Sequence, residues 1–192
     1  DMSQKKVISA VKGMIPGDNI LVTDYMHQHF HVPEANLGMI TGPCHAEEIA
    51  LERLSYLTIG CKDTANATEW KKLFDTPYVR TTPSNDMKGL EYASVMKNIY
   101  AIAAGMCTSL RYGDNFQAVL LTNAMHEIVR FTKAVSDIPR DITDSGYLGD
   151  VLVTAYSNFS RNRQFGQMIG MGYSVKAAQT EMEMMAEGYY GT

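Results

Sequence analysis

Ser94-Val95-Met96-Lys97-Asn98-Ile99-Tyr100-Ala101-Ile102-Ala103-Ala104-Gly105 lies in a run from Asp86 to Leu110 that has no proline and little β-branching. Asn85-Asp86 stands where a cap would, so the run reads as one long helix. From Ile99 to Cys107 apolar side chains occupy every side, the pattern of a helix buried inside the protein. Lys97 and Asn98 are thereby carried into dry surroundings, where an ammonium persists only with a partner. Ala93, Ser94 and Ala101, all small, share the face of Lys97 and leave room for a ligand or another helix. Two readings fit: a paired, functional lysine, or one whose stem snorkels to the surface.

Working outward, the stretch before this helix alternates strands with short helices. Strands are expected at 7–11, 37–41, 56–61 and 78–82, and helices at 19–30, 44–51 and 67–74, which points to βα units and a mainly parallel sheet. After Pro83-Ser84-Asn85 only helical patterns remain, at 116–135, 150–156, 161–169 and 175–189. The fold class is therefore α/β plus all-α, with one domain over residues 1–85 and a second over 86–192. Ligands of open parallel sheets bind at the carboxyl ends of the strands. Lys12-Gly13 and Gly42-Pro43-Cys44 both follow strands, so both should face that edge, and a helical domain laid across it would make a cleft.

The 192 residues are 45% hydrophobic and 20% charged, an ordinary soluble composition. No apolar run approaches the roughly 20 residues that span a bilayer, so no membrane insertion is expected. A net charge of -4 argues against nucleic acid as a partner but leaves room for a local basic pocket. Cys44, Cys61 and Cys107 form no CxxC pair and one must stay unpaired, which fits a reducing, cytoplasmic setting. Both ends look cut: a strand pattern follows Asp1 almost at once, and the chain stops directly after a helical pattern.

A second signal is Gly146-Tyr147-Leu148-Gly149-Asp150, then Thr154, then Ser160-Arg161-Asn162-Arg163. Asp150 and Ser160 sit where helices begin and suit N-capping. Helix starts with Arg161 and Asn162 beside them also suit an anion, and the motif leaves both readings open. His27, His29 and His31 alternate, but at a helix end and its loop that spacing scatters them, so no metal site is expected. Cys44-His45 lacks a third group for nucleophilic catalysis. The glycines at 166, 170 and 172 lie in or after a helix and make no dinucleotide fingerprint. Met182, Met184 and Met185 are expected to pack a core.

Taken in order, Gly42-Pro43-x-x-Ala46-Glu47-Glu48, Lys97-Asn98 with Ala101-Ile102-Ala103-x-Gly105, Gly149-Asp150-x-Leu152-x-Thr154, Ser160-Arg161-Asn162-Arg163 and Glu187-Gly188 resemble the bacterial-type NAD(P)-dependent glycerol-3-phosphate dehydrogenases over Lys12 to Glu187. The resemblance implies the later part of a Rossmann-type parallel sheet followed by a helical domain like that of 6-phosphogluconate dehydrogenase. It implies an oxidoreductase that interconverts dihydroxyacetone phosphate and sn-glycerol 3-phosphate with NAD or NADP and supplies phospholipid synthesis. By position Lys97 matches the catalytic lysine, with Asp150 beside it in the catalytic role of orienting its ammonium. Lys12, Gly42, Cys44, Asp150, Ser160, Arg161 and Asn162 match the substrate pocket, and Asn98 and Thr154 match positions near the reacting centre. Lys12, Ala46, Arg161, Met185 and Glu187 match cofactor contacts.

Three departures accompany the match. Cys44 stands where the family usually has serine, which exchanges a hydroxyl for a weaker thiol donor. The glycine-rich turn that cradles the cofactor pyrophosphate is absent from this sequence, as are the family's last helices, so the sequence reads as an interior piece and the activity belongs to the full-length protein. The residue that would choose between NAD and NADP also falls outside it. The expected partner is a small phosphate ester, and the apolar helices of the second half suit a homodimer. Two other classes fit the residues: a related dehydrogenase for a hydroxy acid, and a non-catalytic helical dimerisation module.

Overall fold

The computed structural model describes residues 2–182 and 184–192. Four strands form one sheet in chain order: β1 (Val7–Ser9), β2 (Leu37–Thr41), β3 (Ser55–Cys61) and β4 (Val79–Ser84). Helix α1 (Val22–Phe30) precedes β2, α2 (Ala46–Ala50) precedes β3, and α3 (Thr64–Phe74) precedes β4. The helical half follows as α4 (Met87–Ser109), α5 (Gly113–Val135), α6 (Asp150–Tyr156), α7 (Arg161–Gly170) and α8 (Val175–Glu181).

Parallel pairing dominates as expected: β1 with β2, and β3 with β4. The central pair is antiparallel, with Met39 opposite Gly60 and Thr41 opposite Thr58. The connection between β2 and β3 explains this. Its helix, α2, has five residues and so advances only about 7 Å, too little to carry the chain back along a strand. The chain reverses instead, and β1 and β2 end at one edge of the sheet while β3 and β4 end at the other.

That reversal fixes what α4 does. The helix starts beside the end of β4, where the carboxylate of Asp86 accepts the Gly89 amide at 3.0 Å as an N-cap. It then runs in the direction of β2. A Cβ on Gly60 would meet Met87 at 3.0 Å, and farther along Thr41, the last residue of β2, bonds Ser94 at 2.8 Å. Lys97 lies about one turn beyond Ser94 and so emerges at the edge where β1 and β2 end. Leu37 and Met39 from the sheet pack with Leu90, Ala93 and Ala104 from α4 and Leu121 and Ile128 from α5 in one core. Buried Glu91 is held by the amide of Thr23 at 3.1 Å and by its hydroxyl, which ties α1 to α4.

Helices α4 and α7 cross backbone to backbone. A Cβ on Gly105 would meet the Arg163 carbonyl at 2.0 Å, and one on Gly166 would meet the Ile102 carbonyl at 2.0 Å. Neither gap admits a methyl group. The close crossing sets the start of α7 beside Lys97 and Asn98, and it gives Gly166 a packing reason rather than a nucleotide-binding one.

Four local expectations are corrected. Strand β1 stops at Ser9, short of the expected 7–11. Asp18-Asn19 does not open α1: Gly17 and Asn19 have positive φ (89° and 53°) and form a turn closed by the Ile15 amide on the Ile20 carbonyl at 2.9 Å, so the helix waits until Val22. Helix α8 ends at Glu181, because Met182 turns extended, and the expected helix to Tyr189 is replaced by a 3₁₀ segment at Glu187–Gly191. Met184 and Met185 therefore leave the helical face and are 59% and 62% exposed. Only Met182 of the three packs against the Phe165 cluster.

Candidate functional site

The edge where β1 and β2 end opens into a cavity of about 300 Å³ lined by residues from both halves. Lys12, Cys44, His45 and Ala46 come from the segments after β1 and β2. Lys97 and Asn98 come from α4, Thr154 from α6, Phe159 to Asn162 from the start of α7, and Glu187 from the 3₁₀ segment.

At its floor the Lys97 ammonium donates to Asp150 Oδ1 at 2.5 Å, and the two residues are 5% and 2% exposed. Lys97 does not snorkel. Burial lowers its pKa to about 8, against the opposing pull of Asp150 and helped by the positive charge of Lys12. Burial alone would raise the Asp150 carboxyl, but Lys97 and Lys12 hold it below the usual carboxylate range, so it stays ionised.

Asp150 does not cap its helix. Gly149 precedes it in helical conformation (φ −60°, ψ −43°) because a π-helical turn, Ser145–Gly149, runs straight into α6. The freed carboxylate turns inward, and its Oδ2 accepts from Thr41 Oγ1 at 2.7 Å and from the Gly42 amide at 3.2 Å. Gly42 can present that amide because φ is +117°, and a Cβ there would strike the Tyr56 carbonyl at 2.6 Å. Gly42 and Asp150 thus stand behind Lys97 rather than on the cavity wall.

Around the ammonium the other expected residues converge. The Asn98 side chain donates to the Lys12 carbonyl at 2.9 Å, and Thr154 Oγ1 returns to the Asp150 carbonyl at 2.6 Å. Ser160 caps α7, accepting the Arg163 amide at 3.3 Å, and Asn162 Oδ1 accepts the Gly188 amide at 2.8 Å. Arg161, the first residue of α7, forms no ion pair or hydrogen bond within the described residues, and its guanidinium borders the cavity. Its own amide and that of Asn162 are among those a helix start leaves without intrahelical partners. Met185 lies apart, in a neighbouring hollow of about 320 Å³ with Phe165 and Tyr189.

The sequence reading weighed Ser94 only for its small size and His45 only as a base for Cys44, and gave Thr41 and Phe159 no role. Thr41 and Ser94 secure Asp150 and α4, and Thr41 carried a usable signal as the last residue of a strand before a glycine. His45 and Phe159 form a wall with ring centres 5.9 Å apart. Burial, with Lys97 behind it, lowers the pKa of His45, so the ring is neutral. Nothing in the spacing of Phe159 pointed to the cavity.

The cavity thus holds a buried ammonium able to give or take a proton, and two further cations, Lys12 and Arg161, placed for an anion. Cys44, partly buried, with a thiol that burial raises, offers only a weak donor. For NAD(P), Ala46 and Glu187 border the cavity with Arg161 and Lys12; the methyl group of Ala46 leaves space, and Glu187 brings a carboxylate acceptor. They fit the reacting end of such a cofactor.

The model of the NAD-dependent glycerol-3-phosphate dehydrogenase C-terminus matches residues 86–192, and that of the N-terminus matches residues 2–67. A glycerol-3-phosphate dehydrogenase [NAD(P)+] of Syntrophomonas wolfei is 38% identical over 151 residues, covering 79% of this chain and 44% of the relative. One from Desulfotalea psychrophila is 35% identical over 187 residues, covering 95% and 55%. The crystal structure of glycerol-3-phosphate dehydrogenase from Coxiella burnetii superposes with a TM-score of 0.89 at 28% identity, over 97% of this chain and 56% of that one. The chain spans about half the length of the curated relatives it matches. It belongs to the NAD-dependent glycerol-3-phosphate dehydrogenase family.

Proposed function

We propose that this chain carries the substrate site of an enzyme that interconverts dihydroxyacetone phosphate and sn-glycerol 3-phosphate. One observation carries the reading: the buried Lys97–Asp150 pair opens onto the same cavity as Lys12 and as Arg161, which has no partner among the described residues. A phosphate ester with a carbonyl one carbon away needs this pairing of a proton donor with an anion anchor.

In this mechanism Arg161, Asn162 and the helix start hold the phosphate, and Lys12 offsets its second charge. NAD(P)H, when bound beside Ala46 and Glu187, would supply the hydride for the C2 carbonyl carbon. As the C=O electron pair moves onto oxygen, the Lys97 ammonium gives that oxygen its proton, and in the oxidative direction the neutral amine takes it back. A pKa of about 8 suits both directions near neutrality. Asp150 keeps the ammonium charged and aimed, while Thr41 and Gly42 prevent the carboxylate from turning away. Asn98 and Thr154 shape the wall beside the reacting carbon, Ser160 and Cys44 its phosphate side, and Ala46, Met185 and Glu187 serve the cofactor.

The boundary of the two domains is assigned to residues 85 and 86, where Asp86 caps α4 directly after β4. The whole enzyme is assigned to the cytoplasm, to the supply of glycerophospholipid precursors and to a homodimeric state. The free cysteines support the first, and the apolar residues Val119, Val129 and Phe131 exposed on α5 support the last. No helix of the described residues is long and apolar enough to cross a membrane. The test is NAD(P)H-dependent reduction of dihydroxyacetone phosphate by the full-length protein and its Lys97→Met variant. Turnover that vanishes in the variant supports the assignment, and absence of turnover in the parent with either cofactor refutes it.

A further inference from the structure

A second buried charge cluster lies at the other end of α4. Asp86, 3% exposed, accepts the Gly89 amide and Arg140 Nη2 on Oδ1 at 3.0 and 3.2 Å. On Oδ2 it accepts Arg140 Nε at 2.5 Å and the hydroxyl of Tyr147. A cap needs one of these bonds, and serine or asparagine would supply it. What aspartate adds is the hold on Arg140 and Tyr147. Its seat exists only over glycine, since a Cβ on Gly89 would meet the carboxylate at 2.4 Å.

Tyr147 leads to the catalytic carboxylate, and Arg140 holds the start of the segment that carries it. Arg140 also donates to the Ser136 carbonyl at 2.7 Å, which anchors the chain just after α5. Tyr147 sits inside the π turn Ser145–Gly149, and Asp150 follows three residues later. A π turn is an uncommon, wide geometry that needs outside support and recurs at functional sites. Its Gly146 already lies hard against α4 and β3, where a Cβ would approach Leu90 and Thr58 to 2.9 Å. The segment is therefore tied to α4 twice: through Tyr147 to Asp86, and through Asp150 to Lys97. The two ties lie about 16 Å apart along the helix. Two ties at that separation fix both where the carboxylate lies and how it is rotated.

We propose that Asp86, Arg140 and Tyr147 form a positioning clamp that sets Asp150 on the Lys97 ammonium from the opposite end of α4. None of the three touches the substrate cavity. The catalytic meaning of the clamp rests on the function proposed above, but its test needs no substrate. The titratable groups facing Lys97 are Asp150 from α6, Lys12 from the segment after β1 and the neutral His45 from the segment before α2. Those facing Asp86 are Arg140 and Tyr147, whose hydroxyl is pushed upward by burial and by Asp86 and so remains a donor. A carboxylate that drifts from Lys97 withdraws the one attraction opposing burial, so the ammonium must titrate lower.

The experiment is NMR titration of the Lys97 side-chain nitrogen in lysine-labelled protein, assigned with Lys97→Met. Tyr147→Phe deletes the hydroxyl, Arg140→Lys keeps the charge but loses the fork, and Thr23→Val cuts the unrelated tie to Glu91 on the same helix. The clamp predicts that Tyr147→Phe and Arg140→Lys each lower the Lys97 midpoint by about half a pH unit or more. Thr23→Val should lower the melting temperature and leave that midpoint in place. If both clamp variants lower the melting temperature and leave the Lys97 midpoint unchanged, the cluster is structural only and the proposal fails. Should Tyr147→Phe not fold, Arg140→Lys decides alone. Failure of the enzymatic assignment would show instead as lost substrate turnover beside an intact midpoint shift.

Discussion

Two buried ion pairs stand on α4, and they differ in what each one faces. At the start of the helix the Asp86 carboxylate is saturated by Arg140, Tyr147 and an amide, while Arg140 divides its Nε and Nη2 donors between Asp86 and the Ser136 carbonyl. Midway along, Asp150 is equally saturated by Lys97, Thr41 and Gly42, but the Lys97 ammonium makes no other hydrogen bond among the described residues and faces the cavity. Desolvation costs both pairs dearly, so neither is good evidence of stability on its own. The lesson is that function is legible where a buried ammonium faces a cavity that further cations, here Lys12 and Arg161, also line.

Lys97→Met breaks this comparison hardest. Turnover of the full-length enzyme should fall on the order of 10²- to 10⁴-fold, the usual worth of general acid catalysis, while affinity for sn-glycerol 3-phosphate changes only a few-fold. Equal losses in both would make Lys97 a structural lysine. Asp150→Asn strands a buried ammonium and should cost about 3–5 kcal/mol in denaturant unfolding, where an unchanged midpoint would deny the pairing. Arg161→Ala should weaken ester binding by about 10- to 100-fold, the worth of a charged hydrogen bond, with little loss of melting temperature because the guanidinium has no partner among the described residues.

The smallest effect is the dependence on pH. Reduction needs the ammonium, so its rate should fall as pH rises through about 8, and oxidation, which needs the amine, should rise through the same value. Stability has its own sign. The folded pKa of Lys97 lies below its ordinary value, so the unfolded chain binds more protons between the two, and this group's contribution rises with pH across that window. Asp150 behaves oppositely at acid pH: its contribution, present above the ordinary carboxylate range, is lost as pH falls through its lowered value. Rate profiles of both directions bending the same way near 8 would separate Lys97 from the proton transfer.

Much of this was legible because it depends on local pattern. The unbroken apolar circumference of α4 forced Lys97 inside, and Lys12-Gly13 and Gly42-Pro43-Cys44, read as following strands, marked the edge where the cavity opens. What stayed hidden depends on contacts distant in sequence. The reversal between β2 and β3 follows from a helix only five residues long, a boundary that pattern blurs. The π turn leaves no periodic trace, and of the two readings of Asp150, helix cap or partner of Lys97, it removes the cap. Met184 and Met185 read as core because an apolar run looks the same whether a helix continues or stops, and here the extended Met182 stops it.

Calorimetric titration of this chain with sn-glycerol 3-phosphate, beside glycerol and inorganic phosphate, tests the central claim most directly: that Lys97, Lys12 and Arg161 share a working substrate cavity. Saturable binding of the ester, tighter than either control and lost in Arg161→Ala, is the predicted result. Binding that is absent, or that persists unchanged in Arg161→Ala, would contradict it.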